Sequence, residues 1–298
     1  MKPRIALLAI AVLWGVSFSI VKDALSSISP LTFNFIRMAI AAAILLVLHG
    51  KELNKITRPN LLSASLVGLF LSLGYQLQTL GLARTTPTKS ALITGLVIVF
   101  VPCTTIISRL RPPNAPKPGI TIFAGALIAL AGLVFLTTPA GTAFRALFAT
   151  IGIGDWLTLA CAVAFSAHLL TMSHMAPKVP TNQLVTVQIV LTTLITAVTL
   201  PLGGPVSLAI PHRVIPALLI TSILCTVVAF SVQTWAQQHV SPVHTALLLT
   251  LEPVFAWLTS VVWFHEHLTQ RSLLGAALIL GGTFVVLWTG GEPSEIPA

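Results

Sequence analysis

Glu252 has the most chemistry to offer in this chain, because it stands where a carboxylate is most costly. It lies ten residues into an apolar stretch that opens at Pro242, about 15 Å along a helix and so near the middle of a bilayer. A charge at that depth costs about 2.5–3.5 kcal/mol on insertion scales. It persists only with a partner, a wet cavity or a route to the interface. Pro253 follows directly and removes the helical hydrogen bond to the carbonyl of Leu249. Glu252 is then either a carboxylate in a pathway, binding a cationic group or a proton, or a protonated side chain bracing a proline kink.

Other polar residues recur on apolar helix faces. Gln78 shares a face with Tyr75, Thr79 and Leu82, and Gln233 shares one with Phe230, Thr234 and Gln237, both at i, i+3, i+4, i+7 spacing. Such amides line a cavity, or they glue helices together at about 0.6 kcal/mol per contact. Trp14 and Ser17 share a face of the first apolar stretch, with the indole deeper than the interface tryptophans prefer. Arg37 lies seven residues past Pro30, and its long side chain is expected to snorkel toward the surface, as is that of Lys22. His168 and Gln188 are the matching polar residues of the second half; hydrogen-bonded structure is the plainer reading of such a His. Ser90, Thr94, Phe165 and Thr245 complete the candidate lining.

Several chemistries are excluded. His265-Glu266-His267 lacks the HExxH spacing that sets two histidines on one helix face around zinc. A solvated helix end explains the cluster. No phosphate loop, Walker motif, GxSxG elbow or pair of catalytic carboxylates occurs. Cys103, Cys161 and Cys225 are isolated within apolar stretches and match no metal spacing. No cofactor or metal is expected.

The elements that must position these residues follow from composition. Of 298 residues, 55% are hydrophobic and 8% charged, with a mean hydropathy of +0.96; a soluble domain carries about 25% charged residues. The chain reads as a polytopic membrane protein whose solvent is the lipid bilayer. The net charge of +9 then reflects Lys and Arg in short cytoplasmic loops rather than a nucleic-acid surface. The start, Met1-Lys-Pro-Arg before Ile5–Phe18, lacks a small-residue cleavage site and reads as a first span, not a leader.

Ten segments reach the roughly 20 residues that a span needs: 4–22, 31–49, 61–83, 88–109, 119–137, 154–174, 182–201, 213–236, 242–264 and 270–289. The Gly-rich connector Thr138–Asp155 lies midway. Residues 75–100 align gap-free with 230–255, placing Gln78 on Gln233, Thr79 on Thr234 and Pro87 on Pro242. A second match sets Gly125 and Gly132 on Gly275 and Gly282, a spacing that suits close helix packing. The slip between the two offsets falls in the Pro-rich connector at Arg111.

The expected fold is therefore all-α integral membrane, ten transmembrane helices as two inverted five-helix repeats. An odd number of spans per copy makes the second copy enter from the opposite side. The first repeat is residues 1–137, the linker 138–153, the second repeat 154–289 and a cytoplasmic tail 290–298. With the N-terminus inside, the first half places Lys2, Arg4, Lys51, Lys55, Arg58, Arg109, Arg111 and Lys117 in the cytoplasm and leaves Lys22, Arg84 and Lys89 outside. That bias predicts both termini in the cytoplasm. Gln78 is then expected near the outer mouth and Gln233 near the inner one, with kinks at Pro102 and Pro253 as gates.

At these residues the chain resembles the EamA family of drug/metabolite transporters. The match is carried by Leu251-Glu-Pro-Val-Phe-Ala-Trp-Leu, His265-Glu-His-Leu-Thr and Leu274-Gly-Ala-Ala-Leu-Ile-Leu-Gly-Gly-Thr. The openings Leu13-Trp-Gly-Val-Ser-Phe-Ser-Ile-Val-Lys22 and Pro30-Leu-Thr-Phe-Asn-Phe-Ile-Arg37 extend it to the first repeat. The resemblance covers the whole chain. It implies a ten-helix inverted-repeat secondary transporter whose central cavity is formed mainly by spans 1, 3, 4, 6, 8 and 9. Many relatives export amino acids and other small metabolites. The acidic residue that the family carries after the fourth span would fall near Arg111, so Glu266 alone represents it here.

The expected activity is alternating-access export of amino-acid-like solutes across the inner membrane, by a monomer or homodimer and without enzymatic chemistry. A transporter of larger metabolites such as nucleotides or vitamins would want converging Arg and Lys inside the bundle. An enzyme acting on lipid-linked substrates would want an acid, base or metal cluster near one interface. Arg37, Lys22 and Lys89 are too few and peripheral for the first, and only His265–His267 offers anything to the second.

Overall fold

The computed structural model describes residues 2–82, 84–85, 87–112, 115–138, 151–203, 210–264 and 268–289. The side chain of Lys22, most of the midway linker, His265, Glu266 and His267, and the acidic tail lie outside the described residues. In chain order the helices are α1 (Pro3–Ala24), α2 (Pro30–Leu53), α3 (Arg58–Leu82), α4 (Pro87–Thr94), α5 (Val97–Ile106), α6 (Ile120–Thr137), α7 (Ile153–Met175) and α8 (Thr181–Thr199). After them come α9 (Ile215–Ser222), a π-helical segment Ile223–Val228, α10 (Ala229–Ala236), α11 (Pro242–Leu249), α12 (Glu252–Phe264) and α13 (Gln270–Thr289). The described residues contain no strand.

Among the described residues, seven helices are long and apolar enough to cross a membrane: α2, α3, α6, α7, α8, the run from His212 through α10, and α13. Pro3–Ser17 and Leu92–Ile106 are shorter apolar stretches. In lipid every backbone N–H and C=O must be satisfied within its own segment, which leaves helices as the form such sequences take. Bulky side chains with nothing of the protein over them, such as Val47 and Val198, are more than four-fifths exposed. That arrangement suits lipid.

The helices start where the sequence marks them. Ser29 and Ser241 each stand before a proline and accept the backbone N–H three residues on, from Thr32 and His244. Proline at the first helical position loses nothing, because that N–H has no intrahelical partner. Asp155 accepts the backbone N–H of Gly152 at 3.0 Å and so closes the first turn of α7.

Packing is closest where glycine removes the side chain. On the α6–α13 seam, a Cβ at Gly125 would stand 2.7 Å from the carbonyl oxygen of Gly282, and one at Gly132 would stand 2.6 Å from that of Gly275. The contacts are crossed: Gly125 aligns in sequence with Gly275 yet touches Gly282. On α1, a Cβ at Gly15 would meet the carbonyl oxygen of Glu252 at 2.7 Å, which seats α1 against the start of α12. Gly74 of α3 receives the ring of Phe165 from α7.

Two stretches are broken in the same way. Between α4 and α5, Leu96 N donates to Ile93 O at 3.1 Å, while Val99 and Phe100 both donate to Leu96 O at 2.9 Å. Between α11 and α12, Leu251 N donates to Leu248 O at 3.2 Å, while Val254 and Phe255 donate to Leu251 O at 3.0 and 3.2 Å. Each bond in the second set lies 155 positions after its counterpart. The second break lies beside Glu252 and Pro253. The other falls at Gly95–Leu96 and not at Pro102, which sits inside α5. Ile98 occupies the place that corresponds to Pro253, so the first break forms without a proline.

Candidate functional site

Arg37 is drawn inward rather than snorkelling. Only 7% of it is exposed. Its Nε donates to Thr226 Oγ1 at 2.8 Å, and its Nη2 donates to Tyr75 Oη at 3.3 Å and to the carbonyl of Cys225 at 3.2 Å. The guanidinium also lies over the Tyr75 ring, 5.3 Å from its centroid, a favourable seat for a cation. All three hydrogen-bond partners are neutral. Among the described residues no carboxylate stands within ion-pair distance, and Nη1 makes no hydrogen bond.

Two of those partners come from the π-helical segment Ile223–Val228. A π turn widens the helix by one residue and occurs frequently at functional sites. Here Thr226 Oγ1 donates back to Thr221 O at 2.9 Å. The Cys225 carbonyl takes a second side-chain donor, the indole Nε1 of Trp14, at 2.9 Å. The stretch of α3 at the same 155-residue offset, Gly68–Leu73, which precedes the aligned residues 75–100, is ordinary α-helix. The two sequence copies therefore differ at the element that holds Arg37.

An aromatic wall surrounds this centre. Phe230 lies 5.6 Å from Trp14, 6.4 Å from Tyr75 and 6.2 Å from His168, and Phe165 meets Tyr75 edge-on at 5.8 Å. Behind it runs a buried polar chain. His168 Nε2 bonds Gln188 Oε1 at 3.2 Å, Gln188 Nε2 donates to Thr234 Oγ1 at 3.3 Å, and Thr234 donates to Phe230 O at 2.6 Å. Six separate elements thus bring Trp14, Arg37, Tyr75, Phe165, His168, Gln188 and Phe230 together.

The two glutamines aligned by sequence do not play matching parts. Gln233 is buried and donates to Gln237 Oε1 at 3.1 Å; Gln237 donates onward to Ser173 Oγ at 2.8 Å and Leu169 O at 3.1 Å. Gln233 Oε1 is left without a partner. Gln78 is half-buried, and its neighbour Thr79 accepts the side-chain N–H of Asn34 at 2.7 Å. Ser17 turns back on the carbonyl of Trp14, and Thr245 on that of Ser241. Ser90 is buried and Thr94 half-buried.

Glu252 opens α12 beside Gly15, half-buried. It lies near enough to Arg37 and Tyr75 to feel them electrostatically, yet its carboxylate makes no hydrogen bond to a described residue. A buried guanidinium and a half-buried carboxyl group therefore share one region without touching.

Sequence reasoning passed over Asn34, Ser173, Thr226 and the Cys225 carbonyl. Asn34 had a signal, since it stands one helical turn from Arg37 in an otherwise apolar stretch. Nothing in the local sequence marks a carbonyl freed by a π turn.

The family model for the EamA-like transporter family matches residues 1–138 and 152–288. An uncharacterized transporter of Archaeoglobus fulgidus is 33% identical over 284 residues, covering 95% of this chain and 84% of that relative. An uncharacterized transporter of Bacillus subtilis, YoaV, is 23% identical over 298 residues, 97% of each. A crystal structure at 20% identity superposes over 95% of both chains with a TM-score of 0.78, a likeness of fold.

Proposed function

The chain belongs to the EamA-like transporter family, a multi-pass membrane protein of transporter kind, and on that premise we propose that it exports small amino-acid-like solutes across the inner membrane. The observation that carries the substrate class is the unpaired relation of Arg37 and Glu252. A buried guanidinium with only neutral partners is costly, and a carboxylate from the solute offsets that cost through the unspent Nη1 edge. Glu252 suits the ammonium of the same molecule. A zwitterion bridges the two charges where neither side chain reaches the other, and the aromatic wall of Trp14, Tyr75, Phe165 and Phe230 takes an apolar side chain.

The transport cycle in this reading is alternating access by ten spans in two inverted repeats, residues 1–137 and 154–289, with both termini cytoplasmic. The crossed Gly125–Gly282 and Gly132–Gly275 contacts support it, because a twofold axis in the membrane plane carries each pair onto the other. The three backbone bonds repeated across the breaks at Leu96 and Leu251 support it too. Broken helices next to a midplane site are the points where one half pivots on the other.

The test is uptake of labelled amino acids by proteoliposomes of the purified protein, with and without an imposed pH gradient. Saturable uptake that is lost in Arg37→Gln and Gln233→Ala supports the assignment. Gradient dependence lost in Glu252→Gln makes that carboxylate the proton site. Flat traces with every amino acid remove this substrate class.

A further inference from the structure

The centre connects to one end of the bundle along a single line of residues. Where α1 ends and α2 begins, a groove of about 290 Å³ is lined by Ser29, Pro30, Leu31, Thr79, Leu80, Arg84 and Leu202. Arg84 is exposed there and uses one nitrogen, Nη1, on the carbonyl of Leu80 at 3.0 Å. Asp155, at the start of α7, accepts from Thr85 and from the backbone of Gly152.

Below the groove, α2 and α3 are tied by two rungs. The first is Asn34 Nδ2 to Thr79 Oγ1 at 2.7 Å; the second, one turn deeper on both helices, is Arg37 to Tyr75. Thr79 belongs to the groove lining and to the first rung alike. Asn34 is 7% exposed, as is Arg37. The first rung therefore joins a residue of the open, cation-rimmed groove, Thr79, to the helix that carries the buried Arg37, one turn short of it.

We propose that this groove is a vestibular subsite for the solute's carboxylate, received at Arg84, and that the Asn34–Thr79 hydrogen bond is the gate between it and the central site. The proposal rests on the transport reading for its solute, but the gate itself is testable without one. The opposite end of the bundle is held differently, by Asn182 and Gln183 donating to Glu52 and by Gln238 donating to Ala176 and Thr181. The Asn34–Thr79 gate belongs to the groove end, and these other ties serve as its control.

Cys225 is a resident reporter. Its carbonyl is the shared acceptor of the centre, and its thiol is buried. In sealed vesicles of a Cys103→Ala/Cys161→Ala background, thiol modification is timed with an anionic and a cationic methanethiosulfonate of similar size. Asn34→Ala and Thr79→Val are expected to speed modification roughly five- to tenfold, the scale of one hydrogen bond's net worth, with reagent added from one side alone. Thr79→Ser keeps the hydroxyl and is expected to stay at the background rate. The anionic reagent is expected to react faster, and Arg84→Gln to remove most of that preference, since a fixed rim charge raises the local concentration of its counter-ion. Unchanged rates in both gate variants, or equal acceleration by Asn182→Ala, overturn the gate. A charge preference that survives Arg84→Gln overturns the subsite. Both results are independent of whether amino acids are transported.

Discussion

Arg37 and Tyr75 meet twice, through a hydrogen bond from Nη2 to the phenol oxygen at 3.3 Å and through the guanidinium lying 5.3 Å from the ring centroid. The aromatic face stabilises the cation where water does not reach it, and the phenol fixes its orientation. The two contacts are separable. Tyr75→Phe keeps the ring, its edge-on packing on Phe165 and the cation over its face, and it loses one acceptor. The expected cost is about 1 kcal/mol of stability, read by thermal unfolding in detergent, with uptake reduced but measurable. Arg37→Lys is the severe change despite keeping the charge. One ammonium on a flexible stem does not reproduce a planar fork shared among Thr226, Tyr75 and Cys225. Uptake is expected to fall by roughly tenfold or more as the site loses its geometry.

The glycine seam predicts position-dependent damage on a single pair of helices. Gly132→Ala places a methyl 2.6 Å from the Gly275 carbonyl oxygen, against backbone that has no side chain to rotate away. The expected loss is about 1–3 kcal/mol, the cost of overpacking. Gly281, on the same helix α13, has nothing within 4 Å of an added Cβ. Gly281→Ala is therefore expected to be neutral or to gain up to about 1 kcal/mol from helix propensity. Melting curves of the two variants side by side check this, and equal effects would refute close packing as the reason for these glycines.

The chain His168–Gln188–Thr234 predicts a coupling. His168→Leu leaves the Gln188 carbonyl oxygen buried without a donor, at about 1–3 kcal/mol. Gln188→Leu leaves His168 in the converse position, while Thr234 keeps its bond to Phe230 O. The double variant is expected to be less damaged than the sum of the two, with a coupling of about 0.5–2 kcal/mol in a double-mutant cycle. Strict additivity would show that the two side chains do not depend on each other.

Much of this was legible in residue types and spacing. The polar positions singled out on apolar faces, Trp14, Tyr75, Phe165, His168, Gln188 and Phe230, do converge, because a polar or aromatic side chain on an otherwise lipid-compatible face has to find the interior of a bundle. Pro253 beside Glu252 marks a withdrawn donor, but the same break at Leu96 forms without a proline. Arg37 departs from the pose its sequence suggests. Its length permits snorkelling, and only the arrival of Thr226, the Cys225 carbonyl and Tyr75 from other helices makes the inward pose better. Pro102 departs for the opposite reason: a proline marks a missing bond but does not say where the helix breaks, and the break falls at Gly95–Leu96.

What the sequence determined by itself is the solvent and the elements. Its apolar fraction demands lipid, lipid favours helices, and the aligned stretches at 75–100 and 230–255 mark two copies of one unit. What only the tertiary structure decided is which equivalent residues cease to be equivalent. Gln233 is buried and bonds Gln237, which in turn bonds Ser173, while Gln78 stays half-buried, and the second copy carries a π turn where the first has plain helix. Hydrogen-bond partners at that distance in sequence, 188 residues from Arg37 to Cys225, are chosen by helix packing. A pattern along the chain records which side chains need a partner, and the packed bundle assigns each one.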